Sequence, residues 1–143
     1  MPCSELSCPF PPRTNPPPRI LVTGGAGFIG ANFLELSVPR FPEHHFVNVD
    51  KLTYAANLKS LESIADRPNY VLERVDICDA DAVDGLFRKY EPELVVHFAA
   101  ESHVDRSIVG PREFLRTNVE GTFNLLESAR KAWKPGQGLF HHV

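Results

Sequence analysis

Cysteine is scarce in this chain. The three present, Cys3, Cys8 and Cys78, are too few and too scattered for a disulfide framework or a closed zinc site. Charge of one sign is also lacking. Fifteen basic against 18 acidic residues leave a net charge of −3, which argues against a nucleic-acid partner and against a strong pull to an anionic membrane. No apolar run approaches the roughly 20 residues that a membrane span requires. The N-terminus lacks the basic-then-apolar order of a secretory signal. His44–His45 and His141–His142 are adjacent pairs whose rings alternate to opposite faces of a strand, so no metal site is expected. These absences leave a soluble, cytoplasmic domain without nucleic-acid or membrane partners. Its 143 residues are enough for one sizeable core.

Proline is concentrated rather than scarce. Seven of the 13 fall in the first 18 residues, where backbone ladders cannot form. Residues 1–18 are therefore expected to be a disordered tail, either a plain extension or, through Pro9-x-x-Pro12-Arg13, a segment for a polyproline-reading groove. The folded domain is expected over 19–143.

From Arg19 the pattern alternates strand and helix, the mark of an α/β domain with a parallel sheet between helices. Ile20–Leu21–Val22, Phe46 to Val49, Tyr70 to Val75, Leu94 to Ala99 and Leu139 to Val143 read as five strands. The first helix is expected to bury Ile29, Phe33 and Leu36 and to stop before Pro39. A short helix is expected over Leu58 to Ala65. Another carries Val83, Leu86, Phe87 and Tyr90, with Asp79 as its N-cap. A long helix is expected from Pro111 to about Trp133, burying Phe114, Gly121, Leu125 and Ala129. His97 reads as a packed core histidine, Cys78 as a small buried residue, and Asp105–Arg106 as a charge pair in a loop.

Thr23-Gly24-Gly25-Ala26-Gly27-Phe28-Ile29-Gly30 lies between the first strand and the first helix, the context a dinucleotide-binding turn requires. Gly24 permits the tight turn, Gly27 clears space for a pyrophosphate, and Gly30 allows the helix to approach the strand. The helix N-terminus then offers free N–H groups to phosphate. Asp50, twenty residues past Gly30 and ending the second strand, suits a ribose diol and repels a 2′-phosphate, which favours NAD over NADP. Lys51 softens that discrimination. An ordinary βα turn and a strand-capping aspartate are the plainer alternatives.

Further stretches carry a resemblance: Val49 to Ala55, Asp76 to Asp79, His97 to Ser107, and Thr117 to Thr122. With Gly24-x-x-Gly27-x-x-Gly30 they resemble the dTDP-glucose 4,6-dehydratases of the extended short-chain dehydrogenase/reductase superfamily. The resemblance runs from residue 19 to 143. It implies a Rossmann-like doubly wound sheet, here truncated at the start of the fifth strand. It also implies backbone contacts to NAD from Phe28 and Ile29 and a ribose site at Asp50, Lys51, Leu52 and Thr53. Asp76 and Ile77 would lie at the adenine, and Phe98, Ala99, Ala100, Glu101, Ser102 and Thr117 toward the nicotinamide. Ser102 and His103 would touch the sugar nucleotide.

The resemblance further implies a lyase that oxidises the sugar at C4, eliminates water across C5–C6 and returns the hydride to C6, in a homodimeric parent enzyme of deoxysugar biosynthesis. Its catalytic tyrosine and lysine, spaced Tyr-x-x-x-Lys, have no counterpart here. Tyr54, Tyr70 and Tyr90 are followed four positions on by Leu58, Arg74 and Leu94. No catalytic residue is assigned, and the 143-residue chain is expected to be an incomplete, inactive cofactor-binding part of marginal solubility. The alternatives are another NAD-dependent nucleotide-sugar epimerase or decarboxylase, or a non-catalytic NAD-binding module. An epimerase or decarboxylase would be expected to carry Asp-Asn at Asp50–Lys51.

Overall fold

Five short strands, the inner ones apolar and buried and β5 largely exposed, set the architecture of the computed structural model, which describes residues 17–143. Residues 1–16, and with them nearly all of the expected tail, lie outside the described residues. The strands β1 (Arg19–Thr23), β2 (His45–Val49), β3 (Tyr70–Glu73), β4 (Leu94–His97) and β5 (Leu139–His142) form one sheet in the order β3-β2-β1-β4-β5. All four pairings are parallel. This is the strand order of a Rossmann-like α/β domain, in which the chain leaves the central strand first one way and then the other.

The period of two divides the core. Ile20 and Val22 of β1, with Phe46 and Val96, pack against Ala31, Leu34 and Val38 of α1 (Phe28–Arg40) and against Leu61 and Ile64. Leu21, Val47, Val49 and Val95 face the other way, onto Val83, Leu86, Phe87 and Tyr90 of α2 (Ala80–Tyr90) and Leu125 and Ala129 of α5 (Thr122–Ala132). Asp79 caps α2 as expected, accepting from the Ala82 N–H at 3.0 Å.

Several local expectations are corrected. In α1, Ile29 and Leu36 are exposed and Phe33 is half-buried, because the stripe Ala31, Leu34, Val38 faces the sheet instead. Small Gly30 and Ala31 open that buried side next to the turn that precedes the helix. The helix also runs through Pro39 to Arg40. A proline in a last turn forfeits one hydrogen bond but breaks nothing that follows, and the Phe41 N–H still reaches the Ser37 carbonyl. The short helix is a single 3-10 turn, Leu58–Leu61. The third and fourth strands stop at Glu73 and His97, where the backbone turns away to line a cleft.

The expected long helix is a succession. Asp105 and Arg106 belong to α3 (Val104–Val109) rather than to a loop. Beyond Gly110 come α4 (Pro111–Leu115), a π-helical stretch (Arg116–Gly121) and α5. The wider π turn breaks the 3.6-residue register, so Phe114 is only half-buried while Thr117, Gly121, Leu125 and Ala129 are buried. Among the described residues no helix is long and apolar enough to cross a membrane.

Candidate functional site: a cleft at the C-terminal end of the sheet

The connections after β1 and β4 lead to opposite faces of the sheet, and the space between them opens a crevice at the strand ends. Gly24 makes the first turn with φ +71°, a conformation costly for any residue with a Cβ. A Cβ there would also meet the Ala99 nitrogen at 2.6 Å. The Gly24 N–H bonds the Val49 carbonyl at 2.9 Å and the Gly27 N–H bonds the Gly24 carbonyl at 3.1 Å. Gly30 packs against Gly24 and Gly25, so the helix is drawn to the turn rather than to the strand. Gly27 is the N-cap of α1, and neither a capping side chain nor an acidic residue occupies that first turn. The opening N–H groups of α1 are thus left for another acceptor.

Asp50 braces this turn from β2. One carboxylate oxygen accepts the Ala26 N–H at 3.0 Å and the other accepts the Leu52 N–H at 2.8 Å. The two roles weighed for Asp50 are therefore compatible: it caps its own turn, and each oxygen keeps a lone pair for a ligand hydroxyl. Leu52 takes a left-handed φ of 58°. Lys51 reaches sideways to Asp76, 3.5 Å away, and Asp76 also accepts the Cys78 N–H at 3.0 Å. Burial raises the Asp76 pKa, but the Cys78 hydrogen bonds and the Lys51 charge outweigh it and hold the carboxyl below its usual range. Cys78 is half-buried rather than buried, its Sγ against the Arg116 carbonyl. Burial and the neighbouring Asp76 push its thiol up to about 11, so it is not a reactive thiolate.

The opposite wall follows β4. The Phe98 N–H bonds the Thr23 carbonyl at 3.0 Å and the Ala99 N–H bonds the Thr23 hydroxyl at 3.3 Å. Asn118 clips Glu101 twice, its Oδ1 accepting the Glu101 N–H at 2.8 Å and its Nδ2 donating to the Glu101 carbonyl at 2.9 Å. Beside it on the π-helical stretch, Thr117 is 6% exposed and its hydroxyl has no hydrogen-bond partner. A buried hydroxyl without a partner costs free energy.

Gly24, Gly27, Asp50, Lys51, Thr53, Asp76, Ile77, Phe98, Ala99, Ala100, Glu101 and Thr117 come together around one cavity of about 110 Å³. Five other cofactor candidates do not line it. Phe28 and Ile29 are 87% and 61% exposed, Gly30 lies under the turn, and Leu52 packs toward the α1 core. Ser102, like the substrate candidate His103, is exposed on the approach to α3. Val49, Ala55, Ala56 and Val75 complete the lining and were missed. Val49 and Val75 mark where β2 and β3 give out, which the strand-end rule could have flagged. Ala55 and Ala56 carry no polar signal, only small size. A larger hollow of about 940 Å³ at the opposite end of the sheet is lined by Asp84, Arg88, Lys131 and Trp133 among others and holds none of the sequence candidates.

The model of the GDP-mannose 4,6 dehydratase family matches residues 21–143. A dTDP-glucose 4,6-dehydratase of Neisseria meningitidis serogroup B is 53% identical over 131 residues, covering 87% of this chain and 37% of the relative. That of Escherichia coli K12 is 49% identical, with 87% and 36% covered. Among solved structures, a Streptomyces venezuelae dTDP-glucose 4,6-dehydratase with NAD and TYD bound superposes with a TM-score of 0.72 at 44% identity, covering 80% of this chain and 36% of that one. A Thermotoga maritima UDP-glucose 4-epimerase gives 0.70 at 31% identity, with 80% and 34% covered. The chain thus spans little more than a third of the length of the curated relatives it matches. A parallel sheet of this order, a glycine turn braced by Asp50, and a match over nearly all the described residues have one conclusion: the chain belongs to the GDP-mannose 4,6 dehydratase family.

Proposed function

We propose that this chain is the NAD-binding part of a dehydratase that converts dTDP-glucose to dTDP-4-keto-6-deoxyglucose. The observation that carries the reading is the meeting, in one cleft, of the glycine turn, Asp50, the Asp76–Ile77 pair and the Phe98–Glu101 wall. Identities of 53% and 49% to dTDP-glucose 4,6-dehydratases support it, as do related structures described as complexes with NAD.

The residues present fit a dinucleotide. The first turn of α1 has no side-chain cap, a pyrophosphate being the natural acceptor for such N–H groups. The Thr117 hydroxyl is buried without a partner in the cleft lining. In this reading Gly24, Gly27 and Gly30, with the backbone of Phe28 and Ile29, hold the pyrophosphate. Asp50, flanked by Lys51, Leu52 and Thr53, holds the adenosine ribose, and Asp76 and Ile77 border the adenine. Phe98 to Ser102 and Thr117 border the nicotinamide side, and Ser102 and His103 meet the sugar nucleotide. When bound, NAD supplies the site that accepts and later returns a hydride. Lyase class, a cytoplasmic location and a homodimeric whole protein belong to the same proposal.

Titration calorimetry on residues 1–143 tests the binding half. NAD⁺ is expected to bind more tightly than NADP⁺, and the reverse order would overturn the role given to Asp50. Thr117→Val is expected to weaken NAD⁺ binding about tenfold, the worth of one well-placed hydrogen bond. It should leave the thermal midpoint unchanged or higher, since it deletes a hydroxyl that has no partner. Wild-type affinity in that variant would remove Thr117 from the site.

A further inference from the structure

His97 ends β4 at 1% exposure, and nothing above gives it a task. Its two ring nitrogens are both engaged: Nδ1 lies 2.6 Å from the Thr23 hydroxyl and Nε2 lies 2.9 Å from the Thr122 hydroxyl. The proton positions follow from the partners. Thr122 donates its single hydroxyl proton to the Asn118 carbonyl at 2.8 Å, so it must accept at His97, and Nε2 carries the hydrogen. In a neutral ring Nδ1 is then an acceptor, which the Thr23 hydroxyl satisfies while accepting the Ala99 N–H. One directed chain therefore runs from Ala99 through Thr23, His97 and Thr122 to Asn118. Both ends are pieces of the cleft wall, for Ala99 lines it and the Asn118 side chain clips Glu101.

We propose that His97, as its neutral Nε2–H tautomer, is a positioning residue for this cleft, tying the Phe98–Glu101 wall to the π-helical stretch that carries Thr117 and Asn118. The groups facing it are Thr23 of β1, Thr122 of α5, and Phe140 and His142 of β5, the His142 ring centred 4.8 Å away. Burial, then the His142 charge, lowers its pKa to about 4, so the ring stays neutral through the physiological range.

The binding readout of the test rests on the proposed NAD site, whereas the structural readout does not. In ligand-free residues 1–143, nitrogen NMR should show a protonated Nε2 and an unprotonated Nδ1 for His97. Thr122→Val should speed amide exchange at Ala99 and Glu101 and weaken NAD⁺ binding about tenfold, while Thr122→Ser restores both. His97→Gln, whose amide can also donate and accept, should retain most of the affinity. His97→Phe should match Thr122→Val, and the double variant should be no worse than either single one. A protonated Nδ1, unchanged exchange in Thr122→Val, or additive losses would each overturn the proposal. Should the wild type fail to bind NAD⁺, the functional reading falls, and tautomer and exchange decide this one alone. Should His97→Phe not fold, the Thr122→Val and Thr122→Ser pair decides it.

Discussion

The two walls of the cleft are built by different means. On the β1–β2 side, glycines remove side chains and the backbone bonds to itself, with one carboxylate, Asp50, closing the bracket. On the β4 side the wall is ordinary chain held by side chains at a distance: Thr23, His97, Thr122 and Asn118. A backbone-built wall tolerates little at its few special positions. A wall held by side chains yields gradually to substitution and responds to protonation.

The sharpest way to break this contrast is at Gly24. Alanine there must adopt φ near +71° and collide with the Ala99 backbone, so a loss of about 3 kcal/mol or more is expected in urea denaturation. A neutral Gly24→Ala would mean the turn is not fixed by its backbone at all. Acid comes next. His97 is held at about 4 in the folded chain against 6.5 in its absence, so the unfolded chain takes up the proton first. Stability is then full above pH 6.5 and declines as pH falls toward 4, by up to roughly 3 kcal/mol. Denaturation midpoints across that range should show the decline in wild type and a shallower one in His97→Gln, where His45, held below its usual value by burial and by Arg19, still contributes. Glu73 and Asp76, whose carboxyls sit below their usual range, lose their contributions only at lower pH, which separates the two effects.

Gly121 sharpens the comparison from the other wall. Its Cβ would come within 2.6 Å of the Ile77 side chain, a flexible neighbour rather than backbone. Gly121→Ala should therefore cost only about 1–2 kcal/mol, well below Gly24→Ala, and equal losses would erase the distinction. The smallest effect is expected at Lys51. Its 3.5 Å pair with Asp76 is about a third exposed on both sides, so Lys51→Met should change stability by less than about 1 kcal/mol. The same variant should widen the preference for NAD⁺ over NADP⁺, as calorimetry would show.

The difference between the walls also explains what could be read in advance. Gly24, Gly27 and Asp50 were legible because a turn that needs positive φ, and a helix start stripped of side chains, restrict the residue type itself. Four strands were legible as largely apolar runs too short for helices, and the fifth by its place in the alternation. The buried face of α1 was not, because Ile29, Phe33 and Leu36 form as good a stripe on paper as Ala31, Leu34 and Val38, and only the small residues beside the turn decide between them. The π-helical stretch left no mark in the pattern, since a six-residue change of pitch looks like ordinary helix until register is lost at Phe114. His97 was read correctly as a core histidine. Its partners, 74 and 25 residues away, were beyond any local signal.

The Asp50 bracket has a kinetic side. A run holding three glycines in four residues, Gly24 to Gly27, loses much freedom when it is ordered, on the order of 1–2 kcal/mol for each residue fixed. Because the carboxylate already pins Ala26 and Leu52 without a ligand, that freedom is given up when the domain folds rather than when the cofactor arrives. Association should therefore follow simple one-step kinetics, with a rate proportional to nucleotide concentration and no plateau from a loop that must first close.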